Sequence, residues 1–142
     1  MEMDPSNPIV VLCAAGMAID GDPDAALELF MQAWHRRSDD YEASVAAHFV
    51  ARHQRSAADR LHWNHTAIAH AERLPSSRRS PLMPSLYLNL ADSLAENCRG
   101  REAREVIDKA AGSLHAADSG GYAEFVAFGI RRLQQRLSAL DG

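Results

Sequence analysis

Seven histidines, two cysteines and nineteen acidic side chains give this 142-residue chain the raw material for metal or acid–base chemistry. Their spacing organises little of it. His62 and His65 share a helix face at three-residue spacing, and His48 and Arg52 share another at four. No His-Glu-x-x-His run, Cys-x-x-Cys pair or aligned third carboxylate accompanies them, so the sequence predicts no metal site and no cofactor. Serine, histidine and aspartate are all present, but none sits in a nucleophile elbow or beside a glycine-rich phosphate loop, so no catalytic residue is expected. Asn64 is the most informative polar residue. Leu61, Ile68 and Ala71 flank it at helical spacing, which points it inward. A buried amide without partners costs about 1–3 kcal/mol, and His48 and Asn89 are its candidate partners. It is either a polar pin between helices or the floor of a ligand pocket shared with His48 and Tyr87.

Composition limits the classes that remain. A chain with 46% hydrophobic and 24% charged residues fits one domain with a real core. Its net charge of -4 and lack of a basic run argue against a nucleic-acid partner. The apolar run Ile9–Ile19 is about eleven residues, too short to span a bilayer, and lacks a basic start, so no membrane or secretory role is expected. Cys13 and Cys98 fall in helical apolar patterns. Buried free thiols and a cytoplasmic, reducing compartment follow.

Breakers divide the chain into seven expected helices. Asn7-Pro8 opens the first, which runs to about Ile19, and Asp22 with Pro23 starts the second, to about Arg37. The third covers about Tyr41 to Gln54 and the fourth about Ala58 to Leu74. Pro75 to Pro84 reads as a mobile, solvated linker. The fifth helix runs from about Pro84 to a terminating Gly100, the sixth from about Arg101 to His115, and Ser119-Gly120-Gly121 breaks the chain before a seventh, Tyr122 to Leu140. That last helix carries Phe125, Val126, Gly129, Ile130, Leu133 and Leu137 on one stripe, with Arg131, Arg132 and Arg136 largely opposite. No segment alternates as a strand would, so the fold is expected to be all-α.

Two hairpins repeat one pattern. Ala14, Ala26, Phe30 and Ala33 match Ala91, Ala103, Ile107 and Ala110 at a constant offset of 77 residues. Small residues let two helices approach, and the large one fills the gap beside them. Gly21 to Ala33 resembles the second helix of a tetratricopeptide repeat, and Tyr87, Leu90, Ala91 and Leu94 with Ala103, Ile107 and Ala110 resemble a whole repeat. The middle unit departs from it, with His48 and Asn64 where small residues are expected. The resemblance covers residues 1–142 as one domain, with hairpins at about 8–37, 41–74 and 84–115 and a capping helix at about 122–140.

The resemblance implies a right-handed superhelix of stacked hairpins whose first helices line a groove for a peptide or protein segment. Groove positions would fall on Pro8, Val11, Leu12 and Ala15, then on Glu42, Val45, Phe49, Arg52 and His53, then on Ser85, Leu88, Asn89, Asp92 and Glu96. Asn89 resembles the asparagine that some peptide-binding members aim at ligand backbone. No basic pair suited to a terminal carboxylate is evident. The expected function is therefore a non-catalytic protein- or peptide-binding adaptor, with Val11, Leu12 and Phe49 as apolar contacts and Arg52, His53, Asn64, Ser85, Asn89 and Asp92 as polar ones. Two alternatives stand beside it. One is a small-molecule sensor with a polar pocket around Asn64. The other is a scaffold that forms a homodimer through the apolar first helix.

Overall fold

The computed structural model describes residues 1–114 and 120–141, and among them it is all-helical, with eight helices and no strand. In order they are α1 (Pro8–Ala18), α2 (Pro23–Arg36), α3 (Asp40–Arg52), α4 (Ala57–Ala71), α5 (Ser76–Arg79), α6 (Met83–Glu96), α7 (Gly100–Ser113) and α8 (Gly121–Asp141). Their starts follow local chemistry. Asn7, Asp22, Asp39 and Ser56 each accept a backbone N–H from the first turn of the helix they precede, and Pro8 and Pro23 occupy first-turn positions where the missing N–H costs nothing. His115 and Ser119, expected at the end of the sixth stretch and in the next break, lie outside the described residues. No described helix is long and apolar enough to cross a membrane.

Short connections fold α1 onto α2, α3 onto α4, and α6 onto α7. The hairpins then pack serially. α3 sits against both α1 and α2, α6 rests on α4, and α8 covers α6 and α7. α3 is the hub. Tyr41 to Ala47 and Phe49 to Ala51 are all buried, which Ala43, Ser44, Ala46, Ala47 and Ala51 allow by keeping its girth small. Ser44 satisfies its hydroxyl by donating to the Ala67 carbonyl at 2.9 Å. Glu42, also buried, accepts from the Ser38 backbone and hydroxyl and from Asn7 Nδ2, tying three chain segments together. Burial pushes its carboxyl up, but the Ser38 and Asn7 bonds outweigh that and hold it below the ordinary value. Glu42 and Val45 are therefore core groups rather than groove positions.

Four expectations change here. The stretch from Pro75 to Pro84 is solvated over most of 75–80, as expected, but it is not an irregular linker: α5 forms within it, giving eight helices rather than seven, and Leu82, Met83 and Pro84 are buried. Ala14 is exposed, and the close approach of α1 to α2 falls at Gly16, where a Cβ would lie 2.3 Å from Phe30 Cε1. The connection from Ala18 to Pro23 is one residue longer than that from Glu96 to Gly100, which shifts the first helix against the 77-residue offset and brings Cys13 to the buried position. Phe125 leaves the stripe of α8 and is 74% exposed, while Val126, Ile130, Leu133 and Leu137 are buried as expected.

The fourth change concerns the end of α6. Gly100 is the first residue of α7, and the left-handed position belongs to Cys98, with φ 60°. Arg99 N–H donates to the Leu94 carbonyl and Cys98 N–H to the Ala95 carbonyl, the pair of bonds that closes a Schellman turn. Cys98 is thus exposed, whereas Cys13 is buried and its thiol is pushed up to about 12 by burial. An L-residue in the left-handed region costs roughly 1–2 kcal/mol, which glycine avoids. Cys98→Gly should stabilise the chain by about 1 kcal/mol, read as a higher urea midpoint at unchanged slope. A lower midpoint would contradict this account of the turn.

Candidate functional site

α3 and α6 do not lie side by side along their length. At one end residues 1–7 fill the gap: Asp4 N–H donates to Tyr41 Oη at 2.9 Å, the Met1 amine donates to Ser85 Oγ at 3.0 Å, and Met1 and Met3 pack on the core. Beyond them the gap opens into a cleft of about 570 Å³. Phe49 and Arg52 from α3, Ser85, Leu88, Asn89 and Asp92 from α6, and Asn64 from α4 line it, with Val126 and Phe125 from α8 and Met17 from α1 at its edges.

The cleft therefore unites Phe49, Arg52, Asn64, Ser85, Asn89 and Asp92 of the expected site. It excludes three others. Val11 is 53% exposed outside the cleft, Leu12 packs partly against the core, and His53 turns to Asp20 with its ring stacked on Phe30 at 6.0 Å between centroids. Pro8 and Ala15 are likewise exposed away from it. Tyr87 packs against the core rather than into the pocket imagined around Asn64. Ser93, Val126, Phe125 and Met17 were not foreseen. Ser93 carries a signal, since it lies four residues beyond Asn89 on the same face; Met17 lies on α1 but off the groove positions Pro8, Val11, Leu12 and Ala15, and Phe125 and Val126 come from α8, which the repeat pattern does not place at the groove.

The floor is a chain of hydrogen bonds across three helices. Asn64 Nδ2 donates to Ser93 Oγ at 2.5 Å and to the Asn89 carbonyl at 3.3 Å, and Ser93 Oγ donates to that same carbonyl at 2.9 Å. Asn89 Nδ2 donates to His48 Nδ1 at 3.2 Å. This bond sets the ring tautomer, leaving the proton on Nε2. Burial, aided by the Met1 amine and the Arg52 guanidinium, pushes His48 down to about 3, so the ring is neutral at physiological pH. Asn64 points inward, as its spacing requires, but its partners are Ser93 and the Asn89 backbone rather than the His48 ring. Its Oδ1 is buried without a partner among the described residues.

Charges at the rim pair with one another. Arg52 makes a two-pronged contact with Asp20 at 2.6 and 3.0 Å, Arg60 meets Glu96 at 2.6 Å, and Arg136 meets Asp92 at 3.1 Å. Arg52 and Asp92 are thereby held by residues of the chain itself, Arg52 at the α1–α2 turn and Asp92 on α8. Among the described residues no group of three or more His, Cys, Asp or Glu could hold a metal ion. No family model, no curated protein and no solved structure matches the chain.

Asp20 is the anchor of this rim. The bonds from Arg52 and then from His53 hold its carboxyl well below the usual carboxylate value of 3.8. A depressed carboxyl contributes stability that is complete above the unfolded value and is lost as pH falls below it. Asp20→Asn should therefore lower stability at neutral pH, and the gap between variant and native chain should close as pH drops from about 4 towards 2. Denaturant midpoints across that range test it, and a gap independent of pH would overturn the assignment.

Proposed function

We propose that this chain is a non-catalytic module that binds a protein segment or peptide in the α3–α6 cleft, built as a tetratricopeptide-like stack of three hairpins with α8 as the cap. The observation that carries the reading is the cleft itself. It runs between the first helices of consecutive hairpins and gathers seven of the expected groove positions, Phe49, Arg52, Ser85, Leu88, Asn89, Asp92 and Glu96. Its volume suits a few residues of an inserted chain. Leu88, Met17 and Phe125 supply apolar contact, and the Asn89 and His48 groups supply directed hydrogen bonds of the kind a peptide backbone satisfies. Because Arg52 and Asp92 are already in ion pairs, orientation of the ligand passes to these neutral groups. Free thiols at Cys13 and Cys98 support a reducing, cytoplasmic setting.

A displayed random-peptide library panned on the full chain tests this. Sequences enriched on the native chain should lose at least roughly tenfold in affinity, about 1.4 kcal/mol, on Phe125→Ala, whose side chain contributes nothing to the core. Failure to enrich any sequence, or equal binding to both chains, would remove the reading.

Self-association is supported by a separate observation. α1 carries no charge along Pro8–Ala18, and Val11, Met17 and three alanines, Ala14, Ala15 and Ala18, are exposed on it. If two copies meet there, the mass from sedimentation equilibrium rises with concentration and Val11→Glu returns it to the monomer. A constant monomer mass excludes the pairing.

A further inference from the structure

The groove between α3 and α6 is longer than the open cleft, because residues 1–6 already lie in part of it. They bridge its two walls. The Met1 nitrogen donates to Ser85 Oγ on α6 at 3.0 Å, and Asp4 N–H donates to Tyr41 Oη on α3 at 2.9 Å. Exposure alternates along the segment: Met1 and Met3 are half-buried and pack on the core, whereas Glu2 and Asp4 face solvent. That is how an extended chain lies on a surface, one side chain in and the next out. Met1 also lines the open cleft, so the segment and the cleft are continuous.

The segment is fastened lightly and ends at a fixed point. A third bond, from Glu2 N–H to the Pro81 carbonyl, is long at 3.4 Å, and Ser6 bonds to Asp4 within the segment itself. Pro5 and Ser6 are exposed. Asn7, in contrast, caps α1 by accepting the Ile9 N–H and donates to Glu42 Oε2 at 3.0 Å. Residues 1–6 can therefore leave while α1 and α3 keep their starts. Ser85 Oγ still has the Tyr122 hydroxyl at 2.6 Å once Met1 has gone. Segments with few buried contacts are the ones that open at low cost.

Resting on the peptide-binding reading, we infer that residues 1–6 are a built-in occupant of the groove and that the partner is an extended segment of the same chemistry: unbranched apolar side chains two positions apart, a solvent-facing residue between them and an acid after the second. Displacing the occupant joins its channel to the open cleft. Flexible, unbranched side chains adapt to the spaces that Met1 and Met3 vacate. Backbone N–H groups of the partner take over the Ser85 and Tyr41 oxygens. The acid comes to lie beside Arg78, whose guanidinium sits over the Tyr41 ring at 4.4 Å from its centroid. The tethered occupant sets a threshold, since a short linker holds it at an effective concentration on the order of millimolar.

The test titrates the isotope-labelled full chain, native and Met3→Asp, with the amidated peptide Met-Glu-Met-Asp-Pro-Ser, followed by amide NMR. A control peptide carries serine in place of both methionines. On Met3→Asp, whose own segment is loosened, the peptide should shift the Tyr41 and Ser85 resonances saturably and bind roughly tenfold or more tightly than on the native chain. On the native chain, millimolar peptide should move the Glu2, Met3 and Asp4 amides to random-coil positions. The control should shift neither chain. The displacement on the native chain needs no variant and stands even if Met3→Asp fails to fold. Equal affinity for the two chains, or no shift on either at millimolar peptide, overturns the inference. Library peptides that bind the cleft and leave the Glu2, Met3 and Asp4 amides unmoved overturn the built-in occupant, while the peptide-binding reading stands. A library that enriches nothing, together with a silent peptide, removes both.

Discussion

Helix α3 can be buried on nearly every face only because its neighbours meet alanine and serine there. Ala43, Ser44, Ala46, Ala47 and Ala51 leave room for α1, α2 and α4 to close around one rod, and Val45, Phe49 and Val50 fill the spaces between. Close packing in an interior has little tolerance for added volume. The hairpins before and after α3 are therefore positioned by its small side chains, and any function built between α3 and α6 inherits that placement. Glu42 fastens the same helix at its start, where a fully bonded carboxylate replaces the water it loses on burial.

α6 packs on α4 and touches this hub directly at the Asn89–His48 hydrogen bond, and the gap between the two helices is the cleft. What bridges the gap is polar: Asn64 to Ser93 and the Asn89 carbonyl, and Asn89 to His48. Such a network fixes the spacing of three helices more sharply than apolar contact alone, because each bond has a preferred length and direction. The same network leaves one amide oxygen unmatched, an unusual state for a buried group.

The rim illustrates how neighbouring charges alter the meaning of a residue. Arg52, read alone, is a guanidinium available to a ligand carboxylate. Beside Asp20 it is one half of a surface ion pair, and such pairs between exposed groups contribute little to stability.

The sequence by itself determined the helical segments and several of their faces. Asn7-Pro8, Asp22-Pro23 and Asp39-Asp40 mark their starts because capping is settled within a few residues of chain. The inward direction of Asn64 and the buried triplets Ala26, Phe30, Ala33 and Ala103, Ile107, Ala110 follow from helical period alone. Only the tertiary structure decided the rest. One extra residue in the α1–α2 turn moved burial from Ala14 to Cys13. Burial of Leu82 ordered a stretch whose serines and arginines look like linker. The Asp20–Arg52 and Arg136–Asp92 pairs join residues 32 and 44 positions apart, distances that local patterns do not relate. Periodicity fixes which way a side chain points, whereas its partner is set by where another helix crosses, and that crossing depends on packing across the whole chain.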